Sequence, residues 1–203
     1  MSAEVAGVSV NIALVGIWVW TAVEVVLRVR DRLRHRGSTA RDGGTRPLIV
    51  VLVVIAVAGA ELSDVFLPSS SVLLLLGAHA AWMAAGVAIM VVGLVVRLWA
   101  ITVLGAAFRT TVEVDEDQVV VDNGPYRWVR HPSYTGALLI IVGFGIAEAN
   151  LISVLLAVVL AVVLPVLAFA LRIRVEERAR VETMGAPYEN YRARTKGLVP
   201  GVW

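Results

Sequence analysis

Arg172, Glu176 and Arg180 stand at i, i+4 and i+8 in the stretch "LRIRVEERARVETM", a spacing that on a helix gives one stripe of alternating charge. Glu177 doubles the acidic charge there, and Tyr188 and Tyr191 follow beyond Gly185 in "GAPYENY". Upstream, "GPYRWVRHPSYTG" (124–136) holds two prolines, three aromatics, three cations and two glycines in thirteen residues. Arginines so grouped can hold the oxygens of an anion, while carboxylates and aromatic faces can hold a cation. Gly124-Pro125 reads as a turn, Pro132 keeps His131 out of helical geometry, and Ser133 reads as the N-cap of a helix. The amides of Ser133 to Gly136 are then available to an anion or carboxylate, with Gly136 permitting close approach. Each member also has a plainer reading: Tyr126, Trp128 and Tyr134 as an interfacial aromatic belt, Arg127 and Arg130 as topology signals, His131 as a surface histidine.

Several chemistries are excluded. Cysteine is absent, which removes disulfides, thiolate nucleophiles, iron–sulfur clusters and cysteine zinc sites. There is no HExxH, GxSxG or P-loop, and "GFG" at 143–145 has neither a third glycine nor a preceding strand. Glu61, Asp64 and His79 lie toward the same membrane face but without the spacing of a metal site.

The elements that must position these residues are membrane helices. Of 203 residues, 59% are hydrophobic, mean hydropathy is +0.82, and the apolar residues come in long blocks. Five blocks approach the roughly 20 residues a spanning helix needs: about Val5 to Leu27, Pro47 to Leu67, Val72 to Leu104, Tyr134 to Ala147 and Leu151 to Leu171. The third exceeds one bilayer thickness, so either Val72 to Gly77 lies at the outer surface or its inner end projects into water. Only Glu148 to Asn150 separates the last two, which predicts a tight helical hairpin, and Pro165 predicts a kink in the fifth. Within the blocks, Arg97 is either functional or snorkels to the inner surface, and Glu24 is expected to pair with Arg28 at i, i+4.

Arginine placement orients the chain. Arg28, Arg30, Arg32, Arg34, Arg36, Arg41 and Arg46 crowd the first loop, Arg109, Arg127 and Arg130 lie in the third, and seven cations follow the fifth block. The opposite connections, Pro68 to Ser71 and Glu148 to Asn150, have none. The expectation is an inner-membrane protein with its N-terminus out and C-terminus cytoplasmic. Glu4 and the lack of a basic leader argue against a cleaved signal peptide. The basic total (pI 9.4) is this orientation signal, and with no soluble domain to carry it, nucleic-acid binding is not expected. The chain thus reads as all-α and polytopic: residues 1–104 hold three helices and the basic loop 28–46. Residues 105–203 form a core made of loop 105–133, hairpin 134–171 and tail 172–203. In the loop, "TTVEVDEDQVVVDNG" alternates as a short hairpin or extended segment would.

These pieces resemble a known family. "GPYxxxRHPxYxG", then "RxxxEE" and "GxxYxxY" in that order around a helical hairpin, are similar to the isoprenylcysteine carboxyl methyltransferases, which are allied to the membrane phospholipid methyltransferases. The resemblance covers about the last hundred residues. It implies a membrane enzyme that moves a methyl group from S-adenosyl-L-methionine, leaving S-adenosyl-L-homocysteine, to a lipophilic or prenylated acceptor entering from the bilayer lipids. The cofactor pocket would face the cytoplasm, closed by loop and tail. By matching position, Arg172 and Glu176 would lie nearest the reacting centre. The cofactor would be lined by Gln118, Val120, Val121, Gly124, Pro125, Tyr126, Arg130, His131, Pro132, Tyr134, Gly136, Glu177, Tyr188 and Tyr191. Gln118 stands where many relatives have histidine, and glutamine can still donate and accept.

An α-carboxylate acceptor is ionised at neutral pH and requires positioning and partial desolvation rather than a general base. An amine or phenol acceptor would need deprotonating, with Glu176 or His131 the first candidates. Two other readings use the same residues. A small carrier would need a polar path through Arg97, Glu24 and Glu61, whereas the fourth and fifth blocks are almost wholly apolar. A non-enzymatic membrane subunit would need no pocket and would depend on a partner for stability.

Overall fold

The computed structural model describes residues 3–34, 51, 54–55, 58, 79–105, 120–147 and 164–198, with side chains at 14–27, 29–30, 33, 51, 54–55, 58, 80–105, 120–147 and 171–198. Most of the proposed second and fifth spans, the connection 148–150, Gln118 with most of the alternating loop segment, Glu61, Asp64 and the side chains of His79 and Arg28 lie outside that set.

The described elements are helical: α1 (Ala3–Arg34), α2 (His79–Leu104), a single 3-10 turn (Gly124–Arg127), α3 (Pro132–Ala147), α4 (Leu164–Met184) and α5 (Ala186–Arg194). Of these, Ala80–Leu104 is long and apolar enough by itself to cross a membrane (25 residues, hydropathy 2.5), while Leu14–Leu27 and Pro132–Ala147 are shorter apolar helices. The described part of α2 starts later than the block predicted from Val72, and α3 starts two residues earlier than Tyr134. Pro165 is the second described residue of α4, and the residues before Leu164, which decide whether it kinks the helix, lie outside the described set.

Lipid offers no hydrophobic incentive for helices to pair, so close packing must bring them together. Glycine provides it between α2 and α3. A Cβ on Gly136 would lie 2.6 Å from the Gly93 oxygen, and one on Gly143 would lie 2.6 Å from the Gly86 oxygen. Numbers rise along α2 as they fall along α3, so the two helices are antiparallel. α1 runs parallel to α2: Gly16 abuts Met90, and Glu24 reaches Arg97. One core joins Ile17 and Trp20 of α1, Met90 of α2, Ile140 and Phe144 of α3, and Ile173 of α4. Leu198 from the tail closes it.

The helix carrying Arg172 continues through the predicted charge stripe and stops where Gly185 takes φ +60°, a backbone that L side chains rarely adopt. α5 then returns against the 3-10 turn. Beyond it the chain straps residues 128–131: the Arg130 amide donates to the Lys196 oxygen (2.7 Å) and the His131 amide to the Gly197 oxygen (3.0 Å). Thr135 adds a hydroxyl bond to the Leu198 oxygen (2.7 Å). Among the described residues the only β pairing is the isolated parallel bridge Val129–Lys196.

Candidate functional site

The start of α3 and the middle of α4 carry one knot of charge. The Tyr134 hydroxyl accepts from Arg172 Nε at 2.6 Å and donates to Glu176 Oε1, which also accepts from Arg172 Nε at 3.1 Å. His131 lies between two carboxylates, Nδ1 at 3.5 Å from Glu176 Oε2 and Nε2 at 3.3 Å from Glu177 Oε1. Its ring stacks on Tyr134, centroids 5.7 Å apart and planes 13° apart. Arg130 Nε donates to Glu177 Oε1 at 2.6 Å, and the same guanidinium reaches the oxygens of Arg192 and Thr195. Arg180 stands 3.7 Å from Glu176 Oε2, completing the stripe that the i, i+4, i+8 spacing predicts.

Arg172, Glu176 and His131 are all buried. Burial by itself would raise the Glu176 carboxyl, but the His131 hydrogen bond and the charges of Arg180 and Arg172 outweigh it and bring it down to about 2. Glu177 also falls to about 2, because hydrogen bonds from His131 and Arg130 overcome the same burial effect. Both are therefore anions at neutral pH. Burial raises the phenols of Tyr126 and Tyr191, so they remain neutral donors. Tyr191 donates to the Tyr126 oxygen (2.7 Å) and Tyr126 to the Ala100 oxygen (3.3 Å), which ties α5 and the turn to the C-terminal end of α2.

Beside the knot opens a shallow cleft. Six residues singled out in the sequence line it: Val120, Val121, Tyr126, Arg130, Tyr188 and Tyr191. Leu104, Arg180 and Met184 line it as well and were not singled out as site residues. Two of them carried a signal, since Arg180 ends the charge stripe and Met184 is seven residues, about two turns, beyond Glu177. Tyr188 is 2% exposed, and among the described residues its hydroxyl meets no partner with ordinary hydrogen-bond geometry. The nearby Arg180 guanidinium lies 5.9 Å over its ring.

Several expectations are corrected. Gly136 is a glycine because α2 presses on it, with Gly93 and Arg97 where a side chain would go; it does not border the cleft. Gly124, at φ +54°, packs against Val103 and Trp99, and a Cβ there would lie 2.9 Å from Val103 Cγ2. Pro125 and Pro132 are buried parts of the turn and of the start of α3. Ser133 does not cap α3: the His131 oxygen accepts from the amides of Tyr134 (3.0 Å) and Thr135 (3.2 Å), so those amides are not available to a ligand. The Ser133 hydroxyl instead accepts from Arg97. Glu24 pairs with Arg97, whose side chain is buried rather than snorkelling. Trp128 does sit at the surface, half-exposed, with Arg127 5.3 Å over its ring.

A helical membrane protein with this arrangement has a solved counterpart, a eukaryotic intramembrane Ras methyltransferase, ICMT (isoprenylcysteine carboxyl methyltransferase). The TM-score is 0.59 at 24% identity, over 77% of this chain and 53% of that one. The two share a fold. The family resemblance is shown at the level of sequence: residues 86–182, which include the whole charge knot, match the isoprenylcysteine carboxyl methyltransferase (ICMT) family. That stretch begins inside α2 and ends inside α4. A protein-S-isoprenylcysteine O-methyltransferase of Dictyostelium discoideum is 30% identical over 119 residues, 58% of this chain and 48% of the relative. Another, form B of Arabidopsis thaliana, is 34% identical over 119 residues, 58% of each. The uncharacterized protein YpbQ of Bacillus subtilis is 32% identical over 88 residues, 43% of this chain and 50% of that one. The chain spans about half the length of the curated relatives it matches.

Proposed function

We propose that this protein is an S-adenosyl-L-methionine-dependent methyltransferase that esterifies the carboxylate of an isoprenylcysteine-like lipophilic acceptor. The observation that carries the reading is the Arg172–Tyr134–Glu176 knot, set beside a cleft walled by Tyr126, Tyr188, Tyr191, Arg130 and Arg180. When bound, the cofactor supplies a methyl group on a sulfonium, which needs no nucleophile from the protein. Glu176 and Glu177, both anionic, provide negative charge for a cationic donor. The Tyr188 hydroxyl and the neighbouring Arg180 guanidinium, both in the cleft lining, provide donors for a carboxylate there. Arg172 holds the acceptor oxygens, and its burial strips water from them.

Under this reading the chain crosses the membrane about five times, N-terminus out and C-terminus cytoplasmic, with residues 105–203 as the methyltransferase core. The parallel course of α1 and α2 supports it, since two parallel spans require an odd number of crossings between them. The closed Arg97–Glu24 pair does not favour a carrier, which would need those charges in an open path.

The reading is tested by calorimetry of the purified chain with S-adenosyl-L-homocysteine, where micromolar binding is expected and no binding at millimolar ligand overturns it. Methyl-labelled cofactor added to membranes should yield a base-labile ester; label in an amine or thioether would refute the carboxylate acceptor while keeping the transferase.

A further inference from the structure

Among the described residues of the membrane helices, one strongly polar cluster is not used by the charge knot. Arg97 is 8% exposed, and its fork is divided between two helices. Nε donates to Glu24 Oε1 of α1 at 2.5 Å, while NH1 donates to both the oxygen and the hydroxyl of Ser133, each at 2.8 Å. Glu24 Oε1 is held in turn by the Trp20 indole at 3.0 Å. The backbone of α3 touches Arg97 as well, because Gly136 has no side chain to keep it away.

The atoms grasped are significant. Ser133 lies between His131, which bridges Glu176 and Glu177, and Tyr134, which bridges Arg172 and Glu176. A helix start is the least constrained part of a helix, since its amides lack partners within the helix. Here the His131 oxygen engages two of those amides and Arg97 fixes the residue between the two site side chains. A buried arginine paired on one side and forked on the other is held in a single geometry.

We propose that Arg97, clamped by Glu24, is a positioning residue: it sets where α3 begins and so holds His131 and Tyr134 in register with Arg172, Glu176 and Glu177. The first membrane helix thereby contributes to a site it does not touch. This rests on the proposed site but not on the reaction assigned to it.

The test uses the full chain in lipid nanodiscs, with amide hydrogen exchange and S-adenosyl-L-homocysteine calorimetry as readouts. Glu24→Gln keeps the shape and a hydrogen bond while removing the charge; Arg97→Lys keeps a charge but cannot span Glu24 and Ser133 together. Both should speed exchange at residues 130–135 by about tenfold, the scale of one broken network contact, with residues 140–147 unchanged and affinity for the probe about tenfold weaker. Unchanged local exchange in either folded variant overturns the clamp. So does a rise spread evenly along α3, which would mark general loosening, and so does full retention of exchange and affinity by Arg97→Lys. If the wild-type chain binds no probe, the cofactor reading fails, while the exchange pattern still decides the clamp.

Discussion

One phenol hydroxyl, that of Tyr134, accepts from Arg172 and donates to Glu176, and so fixes the spacing of two opposite charges. Tyr134→Phe should fold normally and lose turnover by about 10- to 100-fold, as loss of a bond to charged groups is worth about 1.5–3 kcal/mol. Alanine at Arg172 or Glu176 should abolish turnover with the protein still folded; unchanged rates would remove that residue from the site. The carboxyls also make an acid limit. Glu176 and Glu177 sit near 2 when folded against 4.5 when unperturbed. Their stabilisation is therefore complete above 4.5 and is lost as the pH falls toward 2. Thermal midpoints should decline across that window, and Glu177→Gln should make the decline shallower.

Among the elements, those with a local cause were readable in the sequence and those with a distant cause were not. The stripe Arg172, Glu176, Arg180 and its end at Gly185 follow from helical period and glycine backbone, both written within a dozen residues. The partner of Glu24 lies 73 residues away on another helix, so spacing alone pointed to Arg28. Gly136 was read correctly as a place of close approach, but what approaches is α2, and no local pattern names a neighbour. Gly93→Ala and Gly136→Ala should each lower stability by about 1–3 kcal/mol through overpacking, visible as a lower thermal midpoint. Gly185→Ala should strain the joint between α4 and α5, loosening Tyr188 and Tyr191, and so weaken cofactor binding more than it lowers the midpoint.

For the whole molecule, composition and the positions of arginine made a helical membrane protein legible. The order of motifs made the cleft partly legible, because Tyr126, Arg130, Tyr188 and Tyr191 of its wall fall in the two blocks. The clamp from the first helix was not, since the first hundred residues carry no pattern beyond hydrophobicity. Orientation is directly measurable because the chain has no cysteine background. Asn190→Cys, on an exposed position of α5, should react with an impermeant maleimide only after cells are permeabilised; labelling of intact cells would invert the topology. The glycine contacts of α2 and α3 also bear on traffic. Where backbone meets backbone there is no width for an acyl or prenyl chain, so that seam is a closed door. On the proposed function, a hydrophobic acceptor would reach Arg172 by a different side of the bundle, and a photoreactive prenyl probe should mark α1 or α4 while leaving Gly86, Gly93, Gly136 and Gly143 unlabelled.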